Sequence, residues 1–70
     1  MAIVVLAAYS QEDLDLNGAI VEEEGDTIKT AKQRAKYFLT DEYRRASEAK
    51  SMLHYAQVRK NGTVVADFQS

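Results

Sequence analysis

The sequence predicts a small α+β domain. An antiparallel sheet of about four strands packs against two short helices lying on one face, in the order β-β-α-α-β-β, and the chain ends in a β-hairpin. Three observations carry this: an unbroken apolar run near the start, a helical periodicity that begins at Ile28 behind a capping sequence, and an Asn61-Gly62 pair flanked by alternating residues.

The run Ile3 to Ala8 is the first strand, and its near-continuous apolarity suits a central place in a sheet, buried on both faces. It has no basic residues before it and is shorter than a membrane span requires, so we expect an uncleaved, cytoplasmic chain with no membrane partner. The segment "YSQEDLDLNG" breaks the pattern. Leu14 and Leu16 alternate with acids, which allows a hairpin over 13–23 turning at Asn17-Gly18, or a loop leading into one strand from Ala19 to Glu23. Both versions share a strand through Ile20 and Val21.

Gly25 is expected to give the chain freedom to turn, with Asp26 or Thr27 capping the helix that follows. Ile28, Ala31, Ala35, Phe38 and Leu39 fall on one arc, giving an amphipathic helix of roughly three turns. Thr40 followed by Asp41 and Glu42 reads as an end and a restart, so two helices are expected in place of one. Tyr43, Ala46, Ala49 and Leu53 continue an apolar stripe, and Asp41 with Arg45 makes a favourable i,i+4 pair. At the C-terminal hairpin we expect a three-residue connection, Lys60-Asn61-Gly62. That register sets Val58 opposite Val64, Ala56 opposite Ala66 and His54 opposite Phe68 on the apolar face.

Seventy residues make a single domain, 1–70, with a small core. The chain has no cysteine and one histidine, which removes disulfides, thiol chemistry and a Cys/His zinc site. His54 reads as a partly buried structural residue and not as a general base. "EDLDLNG" lacks the acid that closes a calcium loop, and the three glycines are isolated, so no phosphate-cradling loop exists. We therefore expect no catalytic residues, no metal, no cofactor and no enzyme.

Charge is the unusual feature. Residues 1–28 hold seven acids and no Lys or Arg, while residues 29–70 hold nine bases and four acids. The candidate interaction surface is accordingly an acidic edge, Glu22, Glu23, Glu24 and Asp26, together with a basic helix face, Lys29, Lys32, Lys36, Arg44 and Arg45. The two could meet within the chain or across an interface. The leading expectation is a small non-enzymatic protein-interaction or regulatory domain whose partner is another protein or a second copy in a homodimer. The alternative is nucleic-acid binding through the basic helix face 29–45, against which stand the acidic total and the scarcity of base-reading side chains.

Overall fold

In the computed structural model, which describes residues 2–70, the apolar run forms strand β1 (Ile3–Ala8) at the centre of the sheet. It is hydrogen-bonded on one side to β2 (Val21–Gly25) and on the other to β3 (Tyr55–Lys60), and β3 pairs in turn with β4 (Thr63–Gln69). Every pairing is antiparallel, and the strand order is β2-β1-β3-β4. The expected α+β class, four-stranded antiparallel sheet and C-terminal hairpin are all present.

The segment between the first two strands is a helix and not a hairpin arm or loop, so the element order is β-α-β-α-α-β-β. Helix α1 (Gln11–Asn17) opens on Ser10, whose hydroxyl accepts the Asp13 N–H at 3.0 Å, with Glu12 and Asp13 in the first turn. Residues two apart in a helix point some 200° apart. Leu14 is therefore buried while Leu16 stands 72% exposed, and the alternation that reads as a strand is satisfied without one. Gly18, at φ 84°, closes the helix and donates its N–H to the Leu14 carbonyl at 3.1 Å. Asn17-Gly18 is thus a helix terminator, a second use of glycine in the left-handed region.

Helix α2 (Ile28–Phe38) begins at a capping box in which Thr27 and Thr30 satisfy each other's backbone N–H. Its Ala31, Ala35 and Phe38 lie against Ile3, Val5 and Ala7 of β1 and Ala56 and Val58 of β3. Alanine at these positions lets the helix lie close to the sheet. Gly25 is part of the same approach: a Cβ there would stand 3.1 Å from the Ala31 Cβ and 3.3 Å from Ile3 Cγ2. Its φ is not positive, so the need for glycine is close packing and not the turning freedom expected of it.

Helix α3 (Asp41–Ala46) restarts at Thr40, whose hydroxyl accepts the Tyr43 N–H at 3.1 Å, confirming two helices. It stops sooner than its apolar stripe suggests. Glu48 takes φ 58°, and Ala49 and Leu53 belong to the connection into β3. Leu53 is buried all the same.

The hairpin register differs from the one expected. Lys60 faces Thr63 and Arg59 faces Val64 around a two-residue Asn61-Gly62 turn, with both turn residues at positive φ (53° and 85°). A bulge then shifts the register, so that Val58 faces Ala66 and Ala56 faces Phe68. The bulge reconciles the tight turn with an amphipathic sheet, which no uniform register achieves here. It leaves His54 outside the strand and exposed, its Nδ1 3.4 Å from the Ser70 hydroxyl, where the uniform register had set it against Phe68. In its place Tyr55 is buried, on the opposite face of the sheet, with Leu6, Ala8 and Leu14 of α1.

Candidate interaction surface

The acidic edge divides between the two faces of the sheet because side chains alternate along a strand. Val21, Glu23 and Gly25 lie toward α2, and Glu22 and Glu24 are exposed. Glu23 accepts two hydrogen bonds from Arg34, Nε at 2.8 Å and Nη2 at 2.9 Å, a bidentate pair that ties β2 to α2. The Arg34 hydrogen bonds hold the Glu23 carboxyl below the usual carboxylate range, and the carboxylate raises the Arg34 guanidinium in return. The same guanidinium lies 4.8 Å from the Phe38 ring centroid and 5.1 Å from that of Tyr37. The acidic and basic parts of the chain thus meet at this pair, while Glu22, Glu24 and Asp26 face solvent.

The basic helix face divides as well. Lys29, Lys32 and Lys36 are exposed along α2, and none forms an ion pair among the described residues. Lys36 Nζ stands 5.4 Å from the Phe68 ring centroid, so this end of the row reaches over β4. Arg44 and Arg45 do not extend the row. Arg44 donates from Nε to Asp41 Oδ1 at 2.6 Å and from Nη1 to the Ala49 carbonyl at 3.2 Å, and Arg45 Nε lies 2.8 Å from the other Asp41 oxygen. The pair of arginines, Arg44 foremost, depresses the Asp41 carboxyl. Their work is to close α3 and fasten the connection behind it.

Residues outside the expected surface stand at the other edge of the sheet. On β4, Val64 is 48% and Val65 40% exposed, beside the half-buried Ala66 and Phe68. Asp67 is the single charge of that strand. The uniform register had placed Val64 inside, against Val58. The Asn-Gly dipeptide, taken at its usual two-residue length, was the signal for the actual placement.

The face of the sheet opposite α2 carries a polar relay. Arg59 Nε donates to Gln57 Oε1, Gln57 Nε2 donates to the Tyr55 hydroxyl at 3.0 Å, and that hydroxyl donates to Asp67 Oδ2 at 3.3 Å. Burial, with Asp67 contributing, pushes the Tyr55 phenol up. Gln57 is buried yet satisfied, and among the described residues no buried side-chain polar atom lacks a partner. The relay cross-links β3 to β4 and needs no ligand to complete it.

An open cleft of about 240 Å³ lies at the other end of the fold, lined by Tyr9, Ile20, Phe38, Tyr43, Arg44 and Leu53. It is smaller than the usual small-molecule site, and the guanidinium within it is already engaged. Among the described residues no group of three or more His, Cys, Asp or Glu side chains could hold a metal ion, and no helix is long and apolar enough to cross a membrane. No family model, curated protein or solved structure matches the chain.

Proposed function

We propose that the protein acts without catalysis, by contact with another protein chain along the free edge of β4. The observation that supports this reading is the contrast between the two edges of the sheet. An unpaired strand offers a row of backbone N–H and C=O groups, and proteins guard such edges with charge, proline or a covering element. Strand β2, of sequence VEEEG, is guarded by three consecutive glutamates. Strand β4, TVVADFQ, is longer, has no lysine and no proline, and presents two exposed valines. Its protections are the single charge of Asp67 and the bulge near its start, which leaves Ala66 to Gln69 in regular pairing geometry. Addition of a strand to such an edge is a recurring mode of peptide recognition, with backbone bonds supplying affinity and alternate side chains supplying selectivity.

The nucleic-acid reading is weaker on this surface. With Arg44 and Arg45 tied to Asp41, the row reduces to Lys29, Lys32 and Lys36, and three phosphate contacts give a salt slope of only about −3 on duplex DNA.

Selection of extended peptides from a displayed library tests the proposal. Peptides that bind should shift backbone amide resonances of β4 and spare those of β2, and binding should weaken when Val65 becomes lysine. Peptides that perturb the cleft or the lysine row and leave β4 unchanged would refute it. DNA or RNA that binds at low salt and is lost in a Lys29/Lys32/Lys36 triple alanine would replace it with the competing reading.

A further inference from the structure

We propose that the strand received at this edge is β4 of a second copy, forming a closed two-fold dimer with one continuous eight-stranded sheet. The inference rests on the protein-contact reading and names its partner. Charge along the two edges selects this pairing from the three that a second copy could make.

Pairing β2 with β2 would set Glu22, Glu23 and Glu24 against their own symmetry mates, and like charges directly opposite in a sheet are destabilising. Pairing β4 with β2 of the next copy, head to tail, keeps corresponding faces of the sheet together. Asp67, on the face opposite α2, would then lie beside Glu22 or Glu24 of the neighbour, which occupy that same face. Such a contact is also heterologous, so it grows into an open array unless the rotation between copies closes a ring.

Pairing β4 with β4 meets neither obstacle. A two-fold axis normal to the sheet must pass through a residue, since opposed side chains share a face. Centring on Asp67 would oppose the two carboxylates. Centring on Ala66 sets Asp67 opposite Val65, and centring on Phe68 sets it opposite Gln69, so both registers leave the charge beside an uncharged residue. The Ala66 register is the one expected, because it also covers the exposed Val64 and Val65, opposite Phe68 and Asp67, whereas the Phe68 register leaves both valines beyond the end of the partner strand. The glutamates of β2 then stand at the two outer edges of the dimer, where they stop further addition. Most of the lysine row of each copy stays in solvent, and two like-charge approaches remain: the Lys36 side chains flanking the junction on one face, and the Asp67 carboxylates, diagonal neighbours on the other. Added salt should therefore tighten the dimer.

Sedimentation equilibrium on the full chain between about 10 µM and 1 mM tests this, with amide exchange read residue by residue at both extremes. The expected result is a reversible dimer whose formation slows exchange in Ala66 to Gln69 and nowhere in β2. V65K, at an exposed site, should keep the monomer spectrum and raise the dimer dissociation constant at least tenfold. E24Q, on the guarded edge, should leave that constant within about twofold. A monomer throughout the range overturns the dimer. If peptides still dock on β4 in that case, the contact reading survives with a foreign partner, and if none does, both fall. A dimer indifferent to V65K, or one altered by E24Q, overturns the assignment of the interface.

Discussion

Replacing Gly25 by alanine adds one methyl group at a close approach between sheet and helix. Two effects oppose each other. Alanine restricts the unfolded chain, and where the native conformation accepts it the change stabilises by about 0.4–1 kcal/mol. Here the new Cβ would lie 3.1 Å from the Ala31 Cβ and 3.3 Å from Ile3 Cγ2, both buried and neither the flexible end of a long side chain. Relief requires α2 to move away from β1, and inserting a methyl into a packed core costs about 1–3 kcal/mol. The clash wins, leaving a net loss of roughly 1–2 kcal/mol, or a fall in Tm of about 4–8 °C for each kcal/mol in a chain of this size. The counterpart Ala31→Gly loses about 1 kcal/mol of helix propensity and about 0.8 kcal/mol for the buried methyl. With both changes the short contact to Ala31 disappears, so the pair should be less damaging than the sum of the singles by about 1 kcal/mol. Urea denaturation of the four proteins measures this coupling. Additivity within about 0.3 kcal/mol, or a Gly25→Ala protein more stable than its parent, would refute the packing argument.

Glu48→Gly should stabilise by about 0.5–1 kcal/mol, because residue 48 holds φ 58° on an exposed connection; calorimetry would detect the rise in Tm. Thr27→Ala removes half of the capping box of α2 and should cost about 1 kcal/mol in chemical denaturation. The lowered Glu23 pKa adds stability above the ordinary carboxylate range that is lost as pH falls through the folded-state value. Glu23→Gln should flatten that acid limb by no more than about 1 kcal/mol, since both partners are substantially exposed and screened by solvent. The raised Tyr55 phenol acts at the other extreme: its contribution is complete below the ordinary tyrosine value and is lost as pH climbs through the higher folded-state value. A Tyr55→Phe protein should lack this alkaline loss in a stability–pH profile.

The central strand, the capped helices and the C-terminal hairpin were legible because each is specified by neighbours in the chain. An unbroken apolar run, threonine caps at positions 27 and 40, and Asn61-Gly62 need no tertiary context. What escaped depends on which side a residue faces. Leu14 and Leu16 alternate with acids as a strand would, and only the cap at Ser10 argues for the helix that forms. The bulge beyond Val58 is invisible to any scheme that extends one register through the hairpin, so His54 and Val64 were placed inside. The candidate surface shared this difficulty. Nine charged residues between Glu22 and Arg45 form one group in the sequence, yet strand alternation turns Glu23 toward Arg34, and a three-residue helical spacing gives Arg44 to Asp41. The β4 edge has only Asp67 to mark it, and its significance appears only when strand order shows which strands end the sheet.

That strand order has a further bearing on how the chain acquires its structure. The strand formed first in the chain is held on one flank by a strand near the end, with Val5 opposite Val58. The backbone around Ala2 is also clasped by the last turn, through Asn61. Closing so large a loop before any reward slows the search. The first forty-six residues contain three helices and two strands, yet they leave β1 with an unpaired flank and its neighbours Ala56 and Val58 missing. Val5 faces Val58 and shares its cluster with Ala56, so its burial waits for β3, and the protein should assemble in one concerted event. Cleavage between Ser47 and Met52 should yield two pieces, each largely unfolded alone, that regain the far-UV spectrum of the intact protein only when mixed.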